Sequence, residues 1–304
     1  MKSVDPTRVC LLATVYLPYR WMAEITADLI ELHWPEHPPL FFCGLKDEEA
    51  GDLPILPLRS EGGPRIWASF ALDAARELAA RGFELCYFLL EDQPPLARCN
   101  HKHLTETLPS LINSLPASYI GLMGWDNRRF NYGSPILPPS HFRLMHHVDP
   151  GTPRFHLHTS LFRMDTLVRC LKATAASAQP TPWGFEKLCD KADAPLPAED
   201  KNSCYQICGE ELYENRPSAW NRAARAAERW FYHRAMSLYQ PLARVGLGKL
   251  FWETMGYENV FFDGPYPMFY AGVMSRGGVN RHLVRYLQKR NPELLQKIRE
   301  GSSS

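Results

Sequence analysis

The chain has 304 residues, 45% hydrophobic and 12% aromatic, which suffices to bury a large core in one elaborated domain or in a domain with an appendage. A formal net charge of +1 argues against a general nucleic-acid binder, whose phosphate contacts need a broad excess of Lys and Arg. Eight cysteines are scattered and three of them, Cys10, Cys43 and Cys86, lie inside apolar runs, a usage that fits buried reduced thiols rather than a disulfide framework.

Residues 8–16 read as a first buried strand. Asp5, Pro6, Thr7 and Arg8 precede its apolar part and Pro18 and Arg20 stop it, so it is not read as a secretory signal. No run approaches the ~18 apolar residues of a membrane span. A helix over 19–33 follows, with Met22, Ile25, Leu29, Ile30 and Leu32 on its apolar side, and Pro35 and Pro38 break it. Residues 40–44 make a second strand, residues 55–58 a short third one, and residues 60–64 a turn. Over 66–80, Trp67, Phe70, Ala71, Ala74 and Leu78 recur at helical spacing.

That helix leads into the stretch that dominates the reading. Leu85 to Leu90 is continuously apolar, is preceded by Gly82, and ends on Glu91 and Asp92 before Pro94 and Pro95. Such a run suits a strand covered on both faces, and in open α/β sheets ligands gather where strands end. A helix over 101–115 and a strand over 119–124 continue the alternation. The glycines spell neither a GxGxxG nor a P-loop, which removes the dinucleotide-binding and Walker-type readings. No GxSxG elbow supports a hydrolase triad.

Beyond Gly124 the pattern changes. Residues 125–129 form a polar, aromatic loop, and residues 131–140 are rich in Gly, Pro and Ser, as a surface rim would be. Residues 155–162 alternate like a half-exposed strand with His156 and His158 on one face, and a helix over 165–173 takes Asp165 as its cap. These two imidazoles, or His101 and His103 after the acidic strand, are candidates to assist a metal near Asp92. Thr181 as N-cap and Pro182 at the first position open another helix, which places Glu186 early in it, where the helix dipole favours the anion. Cys204 and Cys208 share one face of a strand, but two ligands fall short of a closed zinc site. Residues 219–238 read as a helix mixing Trp220, Trp230 and Phe231 with Arg222, Arg225 and Arg229, a second helix covers 245–255, and residues 301–304 read as a frayed tail.

Taken in order, a first strand closing on Tyr16, the helix bearing Trp67, Leu89-Leu90-Glu91-Asp92, Ser160-Leu161-Phe162 running into Met164-Asp165, and Pro182-Trp183-Gly184-Phe185-Glu186 resemble a GT-A-fold glycosyltransferase. More narrowly, the chain is similar to the glycosyltransferase-like proteins of bacterial polysaccharide gene clusters. The likeness covers residues 8–190 and extends to 260–280.

The resemblance implies an α/β fold with a GT-A-like (Rossmann-like) mixed sheet flanked by helices, with residues 1–192 and 258–300 as the nucleotide-sugar and acceptor domain. Residues 193–257, in the C-terminal third, are not explained by it and read from their own composition as a basic, aromatic helical insertion. The resemblance implies transfer of a sugar from a nucleotide-activated donor to an acceptor hydroxyl, with inversion, in bacterial glycan assembly. Glu186 would be the catalytic base. Glu91, Asp92, Tyr16, Arg276 and Arg281 would bind the donor, and Trp125, Asp126, Trp183 and Asp165 the acceptor.

Mn²⁺ or Mg²⁺ would sit on Asp92 and His282, unless the neutral Gln93 occupies the ligand position, in which case the chemistry runs without metal. The implied partners are a nucleotide-sugar and a glycan or lipid-linked acceptor, with no nucleic acid. The implied location is the cytoplasm, with a peripheral contact at the inner membrane face or a homodimer made through 219–255. Gln93 also keeps open a non-catalytic carbohydrate-binding or assembly protein on the same fold. A metal-dependent nucleotidyltransferase is disfavoured, because no Gly-rich loop follows the first strand.

Overall fold

The computed structural model describes residues 8–58, 66–125, 132–135, 142–147, 155–190, 203–209, 245, 261–262, 264–269, 272–275 and 278–302. Among them one mixed sheet is built from β1 (Val9–Thr14), β2 (Leu40–Cys43), β3 (Ile55–Leu56), β4 (Leu85–Leu90), β5 (Tyr119–Trp125), β6 (Tyr132–Pro135), β7 (Phe142–His147), β8 (Ser160–Arg163) and β9 (Cys204–Gly209). Their order across the sheet is β3-β2-β1-β4-β8-β5-β9-β7-β6. β3, β2, β1 and β4 run parallel, β8 runs against both β4 and β5, and β5 and β9 are parallel to each other. The chain is therefore an α/β protein with a mixed, Rossmann-like sheet flanked by helices.

Alternation along the strands splits the core between two faces. Leu11, Ala13, Leu85, Tyr87, Leu89, Ile120 and Leu161 point to one, where α1 (Arg20–His33) and α4 (Leu108–Ser114) cover them. Cys10, Leu12, Cys86, Phe88, Tyr119 and Phe162 point to the other, beneath α3 (Trp67–Ala80), α5 (Met164–Ala175) and α6 (Pro182–Asp190). All six residues of β1 are buried, as a strand covered on both sides requires. Each such side chain contributes roughly 1.5–3 kcal/mol of burial before the entropy of ordering the chain is subtracted.

α1 also has a second buried side. Met22, Ile25 and Leu29 turn away from the sheet and pack on Leu283 and Leu287 of α7 (Arg281–Arg290) and on Leu294, Leu295 and Ile298 of α8 (Pro292–Gly301). α8 is capped by Asn291, whose side chain accepts from the Leu294 N–H, and Pro292 holds its first position. Gly301 closes this helix rather than fraying, and the Trp21 ring would lie 2.4 Å from any Cβ there.

Three local expectations are corrected. The half-exposed strand over 155–162 shortens to β8, and it is not half-exposed: Ser160, Leu161 and Phe162 are buried because β8 lies between β4 and β5. Asp165 does not cap α5; Arg163 holds the N-cap position, and the Asp165 carboxylate accepts from the Thr166 N–H inside the first turn. Leu32, expected on the apolar side of α1, is exposed. Within the stretch 131–140, expected at a surface rim, residues 132–135 form the edge strand β6. β9 also lies within the stretch 193–257 and belongs to the main sheet, so the sheet takes in part of that stretch. The helices expected over 219–238 and 245–255 lie outside the described residues, apart from an exposed Val245.

Candidate functional site

β4 is the last strand of the parallel run, an interior strand between β1 and β8, and it delivers Glu91 and Asp92 to the carboxyl edge of the sheet. The Glu91 N–H continues the ladder to the Thr14 carbonyl at 3.1 Å, and its own carbonyl accepts from the Thr26 hydroxyl on α1. Its carboxyl turns back into the protein, where Oε1 accepts from the Tyr16 N–H at 3.2 Å. Burial pushes the Glu91 carboxyl up to about 8, the neighbouring Asp92 charge pushes in the same direction, and the Tyr16 N–H opposes both. Burial beside a second carboxyl therefore favours the protonated form of Glu91.

Asp92 is the second carboxyl of the pair. Burial raises it to about 6, against the pull of hydrogen bonds from backbone N–H groups, that of Met274 foremost. Met274 begins a small hairpin of β10 (Met274–Ser275) and β11 (Gly278–Val279). The Asp92 carbonyl accepts from the Val273 N–H at 2.8 Å, and Asn280 ties the hairpin's far end back to the Val273 carbonyl at 2.8 Å. Gly272 has φ +69, and a Cβ there would lie 2.6 Å from Asp92 Oδ2. Only glycine lets this backbone close over the carboxylate.

Gln93 follows, 6% exposed, with its Oε1 buried and lacking a hydrogen-bond partner among the described residues. Its carbonyl accepts from the hydroxyl of the fully buried Tyr266 at 3.0 Å. On the solvent side of the acidic pair stands Tyr16, 62% exposed, its ring edge-on to Tyr19 at 5.5 Å. Thr14, at the end of β1, accepts from the Trp67 indole N–H at 3.1 Å, and this bond joins the start of α3 to the same edge.

A second polar centre occupies the carboxyl edge on the other side of β4. Ser160 at the start of β8 lies opposite Phe88, so residues 155–159 approach the sheet at the level where β4 ends. Three consecutive residues of this approach are pinned through their backbones. The His156 N–H donates to the Tyr119 hydroxyl at 3.1 Å, the Leu157 N–H donates to Glu186 Oε1 at 2.9 Å, and the His158 carbonyl accepts from the Ser160 hydroxyl at 2.6 Å. Tyr119 is fully buried, and burial pushes its hydroxyl above the ordinary tyrosine range.

Glu186 reaches this centre because α6 starts as expected. Thr181 Oγ1 accepts from the Gly184 N–H at 3.2 Å, and Gly184 is so close to the Gln179 carbonyl that a Cβ would fall 1.8 Å from it. Phe185 anchors the helix against Trp67 at 5.9 Å, while Trp183 is left 69% exposed at its start.

No family model matches the chain, and no curated protein matches it either.

Among the expected site residues, the structure brings Glu91, Asp92, Tyr16 and Glu186 to one edge, with the exposed Trp183 at the start of α6. It does not bring Asp165 there. β8 runs antiparallel, so Arg163 pairs with Leu85 at the opposite end of β4, and Asp165 beyond it makes an exposed ion pair with Arg169 at 3.1 Å. Trp125 ends β5 at the carboxyl edge, but its side chain lies outside the described residues, as do Asp126 and Arg276. Arg281 and His282 open α7, and their side chains are likewise outside the description. His101 faces Glu36 at 4.0 Å across the surface.

Tyr119, Ser160 and the clamp of Gly272 and Met274 escaped the sequence reading. Tyr119 and Ser160 look like ordinary strand residues, and the clamp joins positions 180 residues apart, for which the local pattern carries no signal.

Proposed function

We propose that this protein is a GT-A-like glycosyltransferase that moves a sugar from a nucleotide-activated donor to an acceptor hydroxyl with inversion. The observation that carries the reading is the shared edge. A central strand ends on the buried carboxyls of Glu91 and Asp92 beside the exposed Tyr16, and a separate carboxylate, Glu186 of α6, is held by the backbone of the segment entering β8. Tyr16 offers a stacking surface to the donor nucleotide. Trp183 offers one to an acceptor sugar.

In the transfer, the Glu186 carboxylate accepts the proton of the acceptor hydroxyl while that oxygen bonds to the anomeric carbon. The bond from this carbon to the diphosphate oxygen breaks, and the diphosphate leaves with the electron pair. The Leu157 N–H holds one Glu186 oxygen, which fixes the carboxylate in place for proton transfer.

The described residues offer a divalent cation a poor seat. Burial favours the neutral form of Glu91, Asp92 already accepts from the Met274 backbone, Gln93 is uncharged, and among the described residues no three His, Cys, Asp or Glu side chains converge on a point. No step is therefore routed through a cation. The same closure of Asp92 favours one second reading, a non-catalytic carbohydrate-binding protein on this fold.

A glycan or lipid-linked acceptor and a cytoplasmic site of action complete the proposal. Among the described residues no helix is long and apolar enough to cross a membrane. The two readings separate in an assay of nucleoside diphosphate release from a panel of nucleotide-sugars with glycan acceptors. Release by the wild-type chain that falls about a hundredfold in Glu186→Gln supports the transferase. Sugar binding without release supports the alternative.

A further inference from the structure

The backbone ties of the segment entering β8 are not independent, because two of them run through one pair of hydroxyls. Ser160 Oγ carries one proton and lies 2.6 Å from the His158 carbonyl and 3.0 Å from the Tyr119 hydroxyl. A carbonyl can only accept. The Ser160 proton therefore goes to His158, the Tyr119 proton goes to Ser160, and the Tyr119 oxygen accepts from the His156 N–H at 3.1 Å. Every bond of this chain has one direction, and its two ends grip the backbone on either side of Leu157 like a clip. Between them the Leu157 N–H donates to Glu186 Oε1 at 2.9 Å.

β5 makes room for the clip. Ser160 of β8 pairs with Gly121 of β5, and a Cβ at 121 would fall 2.8 Å from the Tyr119 hydroxyl, so the ring reaches Ser160 only across a glycine. Tyr119 and Ser160 are both fully buried, where satisfied hydroxyls hold their partners instead of exchanging them with water. Burial does most to raise the Tyr119 hydroxyl above the ordinary tyrosine range, and the Glu186 charge adds to it, so the carboxylate lies within electrostatic reach of the clip.

We propose that Tyr119 and Ser160 are positioning residues of the transfer: they fix the Leu157 N–H, which in turn aims the Glu186 carboxylate at the acceptor hydroxyl. This rests on the reading of Glu186 as the base and adds the buried residues that hold it. Neither hydroxyl, being buried, meets the reactants. Their contribution is made through Glu186, and it disappears once that carboxylate is gone.

The test joins amide exchange to kinetics on the full chain. Hydrogen exchange at the Leu157 N–H, read by NMR, and nucleoside diphosphate release from the nucleotide-sugar panel would be measured for wild type, Tyr119→Phe, Ser160→Ala, Glu186→Gln and the two double variants that add Glu186→Gln. The amides of β1 and β4 report any general loss of stability. Leu157 exchange should quicken roughly tenfold or more in Tyr119→Phe and in Ser160→Ala, beyond any change in β1 and β4, and should stay slow in Glu186→Gln. In the two hydroxyl variants kcat should fall about tenfold with KM unchanged, and neither should lower it further when added to Glu186→Gln. Leu157 exchange that merely follows the β1 and β4 amides overturns the proposal, as does unchanged turnover or a loss of kcat that multiplies with that of Glu186→Gln. If Tyr119→Phe does not fold, Ser160→Ala decides alone. Diphosphate release absent from wild type would overturn the transferase reading, and selective Leu157 exchange would still uphold the clip that joins Tyr119 and Ser160 to Glu186.

Discussion

Replacing Glu91 by Gln should make the protein less sensitive to alkali. In the folded chain the Glu91 carboxyl keeps its proton up to about 8, whereas unfolded it loses it near the ordinary 4.5. Between those limits the folded state carries one more proton than the unfolded state, so stability contributed by this group is present below 4.5 and is lost as pH rises toward 8. The loss runs at about 1.4 kcal/mol per pH unit and reaches at most roughly 5 kcal/mol. Gln keeps a carbonyl to accept from the Tyr16 N–H and has no proton to lose. The two proteins should therefore match closely at pH 5, and the variant should be the more stable by up to about 4 kcal/mol at pH 8. Urea denaturation at pH 5, 6.5 and 8 reads this difference directly. A stability gap that does not change with pH would refute the reasoning, because it would mean that Glu91 titrates alike in both states.

Three further substitutions probe the rest of the edge. Gly272→Ala puts a Cβ 2.6 Å from Asp92 Oδ2 at a backbone φ of +69, and should cost about 1–3 kcal/mol in chemical denaturation; an unchanged midpoint would mean that the hairpin does not close on Asp92. Tyr119→Phe removes the hydroxyl that meets the His156 N–H and Ser160, and should cost about 1–3 kcal/mol, measured the same way. Glu186→Gln keeps the acceptor for the Leu157 N–H, so its denaturation midpoint should stay within about 0.5 kcal/mol of wild type while transfer collapses. A large loss of stability in that variant would show that the carboxylate is chiefly structural.

The sheet was legible wherever the code is local. Leu85 to Leu90 announces a doubly covered strand by its unbroken apolar run, and Trp67 to Leu78 announces a helix by its spacing, since burial on two faces or on one stripe imposes those periods. Thr181 and Pro182 likewise mark the start of α6 through backbone chemistry alone. Residues 155–159 misled because alternation of buried and half-buried side chains is shared by a strand and by an extended segment pinned by side chains. Only the hydrogen bonds to Tyr119 and Glu186 distinguish the two. Asp165 misled for a topological reason: which end of β4 it would reach depended on the direction of β8, and no residue in β8 encodes that. The state of Glu91 was hidden as well, because an acid at a strand end reads as charged until its burial is known.

The claim that this edge binds a nucleotide-activated sugar is tested most directly by thermal denaturation in the presence of nucleotide-sugars, since a ligand that binds only the folded chain raises its melting temperature. The account predicts that at least one nucleotide-sugar stabilises the wild-type chain in EDTA, and that Tyr16→Ala and Asp92→Asn, each shown to be folded, lose most of that shift. No shift with any nucleotide-sugar at concentrations far above ordinary substrate affinities, with or without Mn²⁺, would contradict it.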